Sequence, residues 1–191
     1  MEIKEWKKVQ ITKQGTLNAT FINEDGDLVQ FVGANVVHKD LKQAMQSMTP
    51  HLALLTEQRE AMGKDYPMLK NVRITDDGDN IYKRLNVDAV CFSDNKIAVS
   101  GTRLAKSGVI KVTTPLVDTD DNDQYEFVDD LSLDADAVKY EAKEYINNRK
   151  WGVVQASIEF ESPFEGVEPQ PVAEADADAP KKRGRKSKKA A

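Results

Sequence analysis

Apolar and polar positions alternate along the first 37 residues and then switch to a helical period, and the same switch recurs in the second half of the chain. Lys8 to Thr12 alternates, Gln14-Gly15 offers a turn, and Thr16 to Ile22 alternates again with Leu17, Ala19 and Phe21 on one side. Asn23-Glu24-Asp25-Gly26-Asp27 is a strong turn signal, and Leu28 to Val37 reads as a third strand. Leu41, Ala44, Met45, Met48 and Leu52 then recur at spacings of three and four, the stripe of an amphipathic helix beginning at an Asp40 cap. Pro50 interrupts that stripe. Thr49 is placed to cap a new helix with Pro50 at its first position, so the pattern predicts a kink or two abutting helices, ending by Gly63.

The second half repeats the order. Val87 to Ser93 is a strand, Asp94-Asn95 a tight turn and Lys96 to Leu104 a strand; Ala105-Lys106-Ser107-Gly108 turns the chain into Val109 to Val117. An acidic insert, Asp118 to Asp130, precedes a helix marked by Ala135, Val138, Ala142, Tyr145 and Ile146, with Asp134 as its cap and Gly152 as its stop; Val153 to Phe160 reads as a closing strand. The expected fold is α+β, an antiparallel sheet built from two three-strand meanders, each followed by a helix, in one domain spanning 1–160. The repeated order suggests a pseudo-duplication with halves 6–63 and 86–160, although it equally suits two meanders that happen to precede helices. In the linker Lys64 to Arg84, Val72 to Thr75 has the pattern of a short strand.

The chain changes character after Phe160. Residues 161–191 hold four prolines, many Ala, Glu and Asp residues and almost no large apolar side chains, too little to offset the entropy of ordering. They read as a disordered tail, an acidic spacer followed by a basic cluster. A flexible spacer of about 20 residues has an r.m.s. span of roughly 25 Å. The cluster itself, Lys181, Lys182, Arg183, Gly184, Arg185, Lys186, Ser187, Lys188 and Lys189, puts seven positive charges into nine positions. Such a run repels itself, stays solvated and is drawn to polyanions, of which nucleic acid is the commonest in a cell.

Charge sharpens this contrast. Of the 27 Lys and Arg and 32 Asp and Glu, the segment from Glu161 onward takes seven and six, so the body carries 20 against 26 and a net charge of −6. The body is not a generally basic DNA-binding surface. One cysteine, Cys91, rules out an intramolecular disulfide, and its place in an alternating run suits a small buried hydrophobe. The N-terminus lacks the apolar region of a signal peptide, and no apolar stretch approaches the roughly 20 residues of a membrane span. These features point to a cytoplasmic protein that does not engage a membrane.

Catalytic and metal chemistry find little support. His38 and His51 stand outside any zinc-ligand spacing and read as polar surface or cap residues. No phosphate-binding loop or nucleophile elbow is present, and the pattern points to no metal, no cofactor and no enzyme activity. Asp118 to Asp129 resembles a calcium loop in its alternating acids. Its sixth position is Asp123 where glycine is expected and its twelfth is Asp129, and a solvated acidic loop accounts for it better. Phe21, Phe31, Phe92, Tyr145 and Phe160 read as core. Trp6, Tyr82 and Trp151 lie beside Lys7-Lys8, Lys83-Arg84 and Arg149-Lys150, a placement that suits a single-strand stacking platform and equally an amphipathic ring at the rim of a core.

Lys182-Arg183-Gly184-Arg185-Lys186 resembles an AT-hook, whose Arg-Gly-Arg core lies in the minor groove of A·T-rich DNA. Lys186 stands where that motif continues with proline, so the resemblance implies phosphate binding more than groove specificity. Around Val37-His38-Lys39-Asp40-Leu41 and Pro50-His51-Leu52-Ala53-Leu54-Leu55 the body resembles bacteriophage and prophage proteins, which implies a host-cytoplasm setting and phage DNA metabolism. Together these features predict a non-enzymatic nucleic-acid-binding accessory protein, with DNA favoured over RNA. The acidic body keeps open a protein-interaction module, a virion component, an inhibitor of a host factor or a homo-oligomer.

The spacer also lies within reach of the cluster it carries, at an effective concentration in about the millimolar range. Neutralising Glu165, Glu168, Glu174, Asp176 and Asp178 is therefore expected to tighten DNA binding at low salt, and the gain should fade as salt rises. Titrations alongside a variant with the same number of acids neutralised far from the tail check this; equal tightening in both would reduce the effect to net charge.

Overall fold

The first alternating segments become three antiparallel strands, β1 (Ile3–Ile11), β2 (Thr16–Asn23) and β3 (Leu28–Val36). The computed structural model describes residues 1–72 and 80–152, all within one compact unit, Met1–Gln155. The helical stripe becomes α1 (Lys39–Ser47) and α2 (Thr49–Leu55), followed by a 3-10 turn (Arg59–Ala61) and two short helices, α3 (Tyr66–Lys70) and α4 (Ile81–Arg84). A second meander follows: β4 (Leu85–Ser93), β5 (Lys96–Ala105) and β6 (Gly108–Thr113), with a two-residue β7 (Val117–Asp118). The long helix α5 (Val128–Asn147) closes the described fold. The architecture is α+β, as the periodicity implies.

The strand order is β3-β2-β1-β4-β5-β6, with β7 on the same β5 edge beyond β6. The two meanders therefore meet through their first strands. β1 and β4 run antiparallel and pair at Lys8↔Cys91, Val9↔Val90 and Gln10↔Ala89. In the second meander's wake α5 packs across β1, whereas α1 and α2 pack across β4 and α1 also meets α5. Each meander thus extends outward from the β1–β4 pair, and the helix after each one reaches the other's first strand.

One face of the sheet carries the core. Val9, Leu17, Ala19 and Phe21 from the first meander and Val87, Val90, Phe92 and Val99 from the second meet Leu41, Met45, Leu52, Leu131, Val138 and Tyr145 from the helices. The opposite face is not covered by the described helices; its paired positions include Asn18, Thr20, Lys8, Gln10, Ser100 and Thr113. Cys91 belongs to this second face, half-buried opposite Lys8 and Ala98, rather than to the core.

Several boundaries differ from the pattern's expectation. Thr49 does not cap α2; it is the helix's first residue and is buried, Met48 stands at the junction without a side-chain cap bond, and Pro50 takes the second position. Proline has no N–H to satisfy there and blocks continuation from α1, so two helices abut. Likewise Asp40 is not the cap of α1. His38 holds that place, its Nδ1 accepting from the Asp40 N–H at 3.3 Å. Asp40 instead accepts from the Lys150 ammonium at 2.7 Å, which holds its carboxyl below the usual range. Asp134 lies well inside α5, which starts six residues earlier at Val128, because Val128 and Leu131 extend the buried stripe into the acidic insert. The third strand of the second meander breaks at Thr114-Pro115. Pro115 cannot donate to β5, and Thr114 supplies both its backbone N–H to Val99 O and its Oγ1 to Val99 N at 2.9 Å each. The expected strands at Val72 to Thr75, apart from Val72 itself, and Val153 to Phe160 lie outside the described residues, as does the tail.

Two contacts anchor helices to the sheet. Tyr145 lies against Gly33 of β3, its hydroxyl donating to Asn35 O, with its ring edge-on to Phe31 at 6.1 Å. A Cβ on Gly33 would meet the Tyr145 Oη at 2.5 Å, so the sheet needs glycine there for α5 to seat. On the second meander, Arg103 of β5 donates to Gln58 and to the buried Glu60 at 2.8 Å, binding the 3-10 turn to the strand. Gly33→Ala is expected to destabilise the fold by about 1–3 kcal/mol through overpacking, and the cost should shrink in a Tyr145→Leu background. Urea midpoints of the two singles and the double check this coupling.

Candidate functional site

The seam between β1 and β4 is three pairs long, although each strand has nine residues. Beyond it the strands part at both ends, and each gap opens a cleft. The larger, about 710 Å³, lies where β1 leaves at Gln10 to Lys13 and β4 arrives at Leu85 to Asp88, under Lys42, Met45 and Gln46 of α1. The smaller, about 370 Å³, lies where Lys4, Glu5 and Trp6 of β1 face Phe92, Asp94 and Asn95, under Asp136 and Lys139 of α5.

The aromatic candidates divide between these places. Tyr82 lines the larger cleft, its ring packed against the core and its hydroxyl donating to Leu69 O at 3.3 Å. Burial, with the Asp134 charge second, pushes this hydroxyl up to about 12. Trp6 lines the smaller cleft, its ring edge packed on Phe21 at 5.6 Å. Trp151 is 40% exposed and bridges Val37 at the end of β3, away from both linings. The structure therefore gives Tyr82 and Trp6 the rim-of-core packing that amphipathic rings take, with a cleft on the other side of each. The basic residues from Lys181 to Lys189 lie outside the described residues.

Asp88 is the residue that sequence reading passes over. The β4–β5 register steps between Val87↔Gly101 and Ala89↔Ser100, leaving Asp88 as the extra residue of a bulge on the cleft wall. Bulges re-aim side chains in this way. Burial raises the Asp88 carboxyl above its ordinary range, and the charges of Lys111 and Lys8 offset that only in part. Around it the cleft offers the amides of Gln10, Gln46 and Asn86 and, at exposed positions, the ammonium groups of Lys13 and Lys42.

A second polar cluster sits inside the core. His51 is fully buried, not a surface or cap residue, because α2 turns it inward between α3 and α5. Its ring stacks on Tyr66 at 4.4 Å. With a neutral imidazole every partner is satisfied: Nε2–H donates to Asp134 Oδ2 at 3.3 Å and Nδ1 accepts from the Tyr125 hydroxyl at 2.8 Å. Tyr66 donates to the same Asp134 Oδ2 at 2.6 Å, and Lys70 donates to Tyr66 at 2.7 Å. Four separate segments are thus tied together in a chain of polar groups, and Tyr125 draws the acidic insert onto the core. Of the insert's acids, Asp118 accepts from the Asp120 N–H and faces Lys96 at 3.8 Å, Asp120 accepts from the Asn95 amide at 2.6 Å, and Asp121 accepts from the Asp123 N–H. Among the described residues no group of three or more acidic, histidine or cysteine side chains is placed to hold a metal. Nor, among them, is any helix long and apolar enough to cross a membrane.

No family model matches this chain, and neither a curated protein nor a solved structure matches it. The site is therefore read from its own geometry.

Burial alone would raise Asp134, but the hydrogen bonds from His51 and Tyr66 and the Lys70 charge outweigh it, and the carboxyl is held below its ordinary range. A carboxyl lowered in the folded state contributes stability above its unfolded pKa and loses it as pH falls through the folded value. The fold should therefore keep this contribution above about pH 5 and lose it progressively below about pH 4. Asp134→Ala is expected to cost about 3–5 kcal/mol at neutral pH, since it strands buried partners. Asp134→Asn should flatten the acid limb. Urea midpoints across pH for the wild type and both variants measure this; an unchanged acid limb in Asp134→Asn would refute the assignment.

Proposed function

We propose that this chain is a non-enzymatic nucleic-acid-binding accessory protein, acting in phage DNA metabolism in the host cytoplasm. The observation that carries the reading is the cluster Lys181 to Lys189, seven positive charges in nine positions after a body of net charge −6. The cluster supplies sequence-independent affinity through phosphate contacts and counterion release. The acidic body works against indiscriminate adhesion, so it limits binding to targets that offer something besides phosphate. Lys13 and Lys42 line the larger cleft together with Tyr82, which supports a body that meets unpaired bases rather than duplex.

A second reading, a protein-interaction module or homo-oligomer, draws on a different observation. β6 ends the strand path among the described residues, and Val109 and Ile110 on it are 68% and 47% exposed. An apolar edge strand is a template for pairing with another strand. Sedimentation of the wild type against Ile110→Lys, without nucleic acid, tests this reading: self-association that the variant loses supports it, and a monomeric wild type refutes it.

For the first reading, seven neutralised phosphates set an upper limit of about −6 for the slope of log affinity against log salt on duplex DNA. Deleting residues 180–191 is expected to remove most of that slope and most of the affinity, measured by fluorescence anisotropy on single- and double-stranded DNA and on RNA over a range of salt. Affinity that survives the deletion unchanged would end the tail's role, and a full chain that binds none of the three would end the reading.

A further inference from the structure

We propose that the larger cleft between β1 and β4 holds an unpaired guanine base, with Asp88 accepting hydrogen bonds from the base edge and Lys13 and Lys42 meeting the adjoining phosphate. This deepens the nucleic-acid reading and rests on it.

The volume, about 710 Å³, falls in the range of small-molecule sites, roughly 300–1,000 Å³. Its construction is also that of such a site. Met45, Leu85 and Val87 give the lining buried apolar side chains, and Gln10, Gln46, Asn86 and Asp88 add polar groups to it. A site for phosphate alone would concentrate cations at its base. Here Lys13, Lys42, Gln46 and Asn86 stand at exposed positions, while Asp88 and Gln10 are half-buried on the strands. The lining thus offers directional hydrogen-bonding groups beside cations, as a nucleotide's base and phosphate require.

Asp88 sets which base. An ionised carboxylate accepts and does not donate. Guanine presents two N–H donors side by side, the ring N1–H and the exocyclic amine, which match the two carboxylate oxygens. Thymine and uracil present one N–H between two carbonyl oxygens that repel the carboxylate, and adenine and cytosine present an amine beside an acceptor nitrogen. The bulge at Asp88 turns the carboxylate onto the cleft wall, and among the described residues no ion pair within hydrogen-bonding distance occupies it. Tyr82, its hydroxyl already engaged with Leu69 O, offers its ring to the base as a fixed surface. The guanine edge concerned is paired in duplex DNA, so the site selects unpaired strands.

The test uses the full chain. An oligo-dT strand with one central dG is compared with the all-dT strand by anisotropy at fixed salt. The wild type should prefer the dG strand by about tenfold, in the range of one good two-point base contact. Asp88→Asn should abolish that preference, so that the variant binds the dG strand and the all-dT strand alike. Asp88→Ser should do the same, which guards against a local effect of asparagine. Asp94→Asn, a matched charge change in the smaller cleft, should keep the preference. In parallel, guanosine monophosphate titrated into ¹⁵N-labelled protein should shift the amides of Asn86 to Ala89 and Gln10 to Lys13, and uridine monophosphate should not. A dG preference that is absent, or that persists in both Asp88 variants, overturns the proposal and leaves the tail's role intact. Strand affinity that survives deletion of 180–191 with the Asp88-dependent preference retained overturns the tail's role and supports the cleft.

Discussion

The three-pair seam between β1 and β4 is the constraint on which the rest of the structure depends. Among the described residues it is the one place where the two meanders share backbone hydrogen bonds, and its antiparallel sense gives the sheet its order. Because the seam lies at the centre, each helix can reach across it onto the other meander, α1 and α2 onto β4 and α5 onto β1. Burial of Val9 and Val90 beneath those helices keeps the short seam closed where it is paired. Its shortness is equally consequential, since the strands part on either side and the two clefts open there.

Polar groups complete what the apolar core begins. Hydrophobic burial is non-directional and would allow α2, α3 and α5 to slide against one another. The His51–Asp134–Tyr66–Tyr125 network removes that freedom, because each donor must meet a particular acceptor and an unmet one is costly in the interior. Glu60 with Arg103 does the same for the turn after α2. Apolar burial thus sets where the helices lie, and the buried polar contacts set their register.

Much of this was legible in the chain. Strand periodicity, the turns at Asn23 to Asp27 and Asp94-Asn95, and the stripes beginning at Leu41 and Ala135 follow from side chains that alternate across a strand or return to one helix face. Element ends were less legible. Asp134 looks like a cap by composition, yet Val128 and Leu131 place two more turns before it; Asp40 looks like a cap, yet His38 takes the place. Cap preferences describe isolated termini, and packing overrides them when an extra turn buries apolar surface. His51 shows the same limit in reverse, as a polar residue whose burial depends on Asp134, Tyr66 and Tyr125, the farthest of them 83 positions away.

Sequence by itself determined the alternation and helical stripes, the α+β class, and the contrast between an acidic body and a basic tail. These are properties of composition and local spacing, which need no knowledge of what lies opposite. Tertiary structure alone decided that the meanders join through their first strands, that Tyr82 and Trp6 each border a gap, and that Asp88 is the bulged residue facing one of them. The first two depend on register between segments about 80 positions apart, and the bulge on the register of β4 against β5, whose partners there lie 11 to 14 positions apart. A shift of one residue would send Asp88 to the other face without altering a single local propensity.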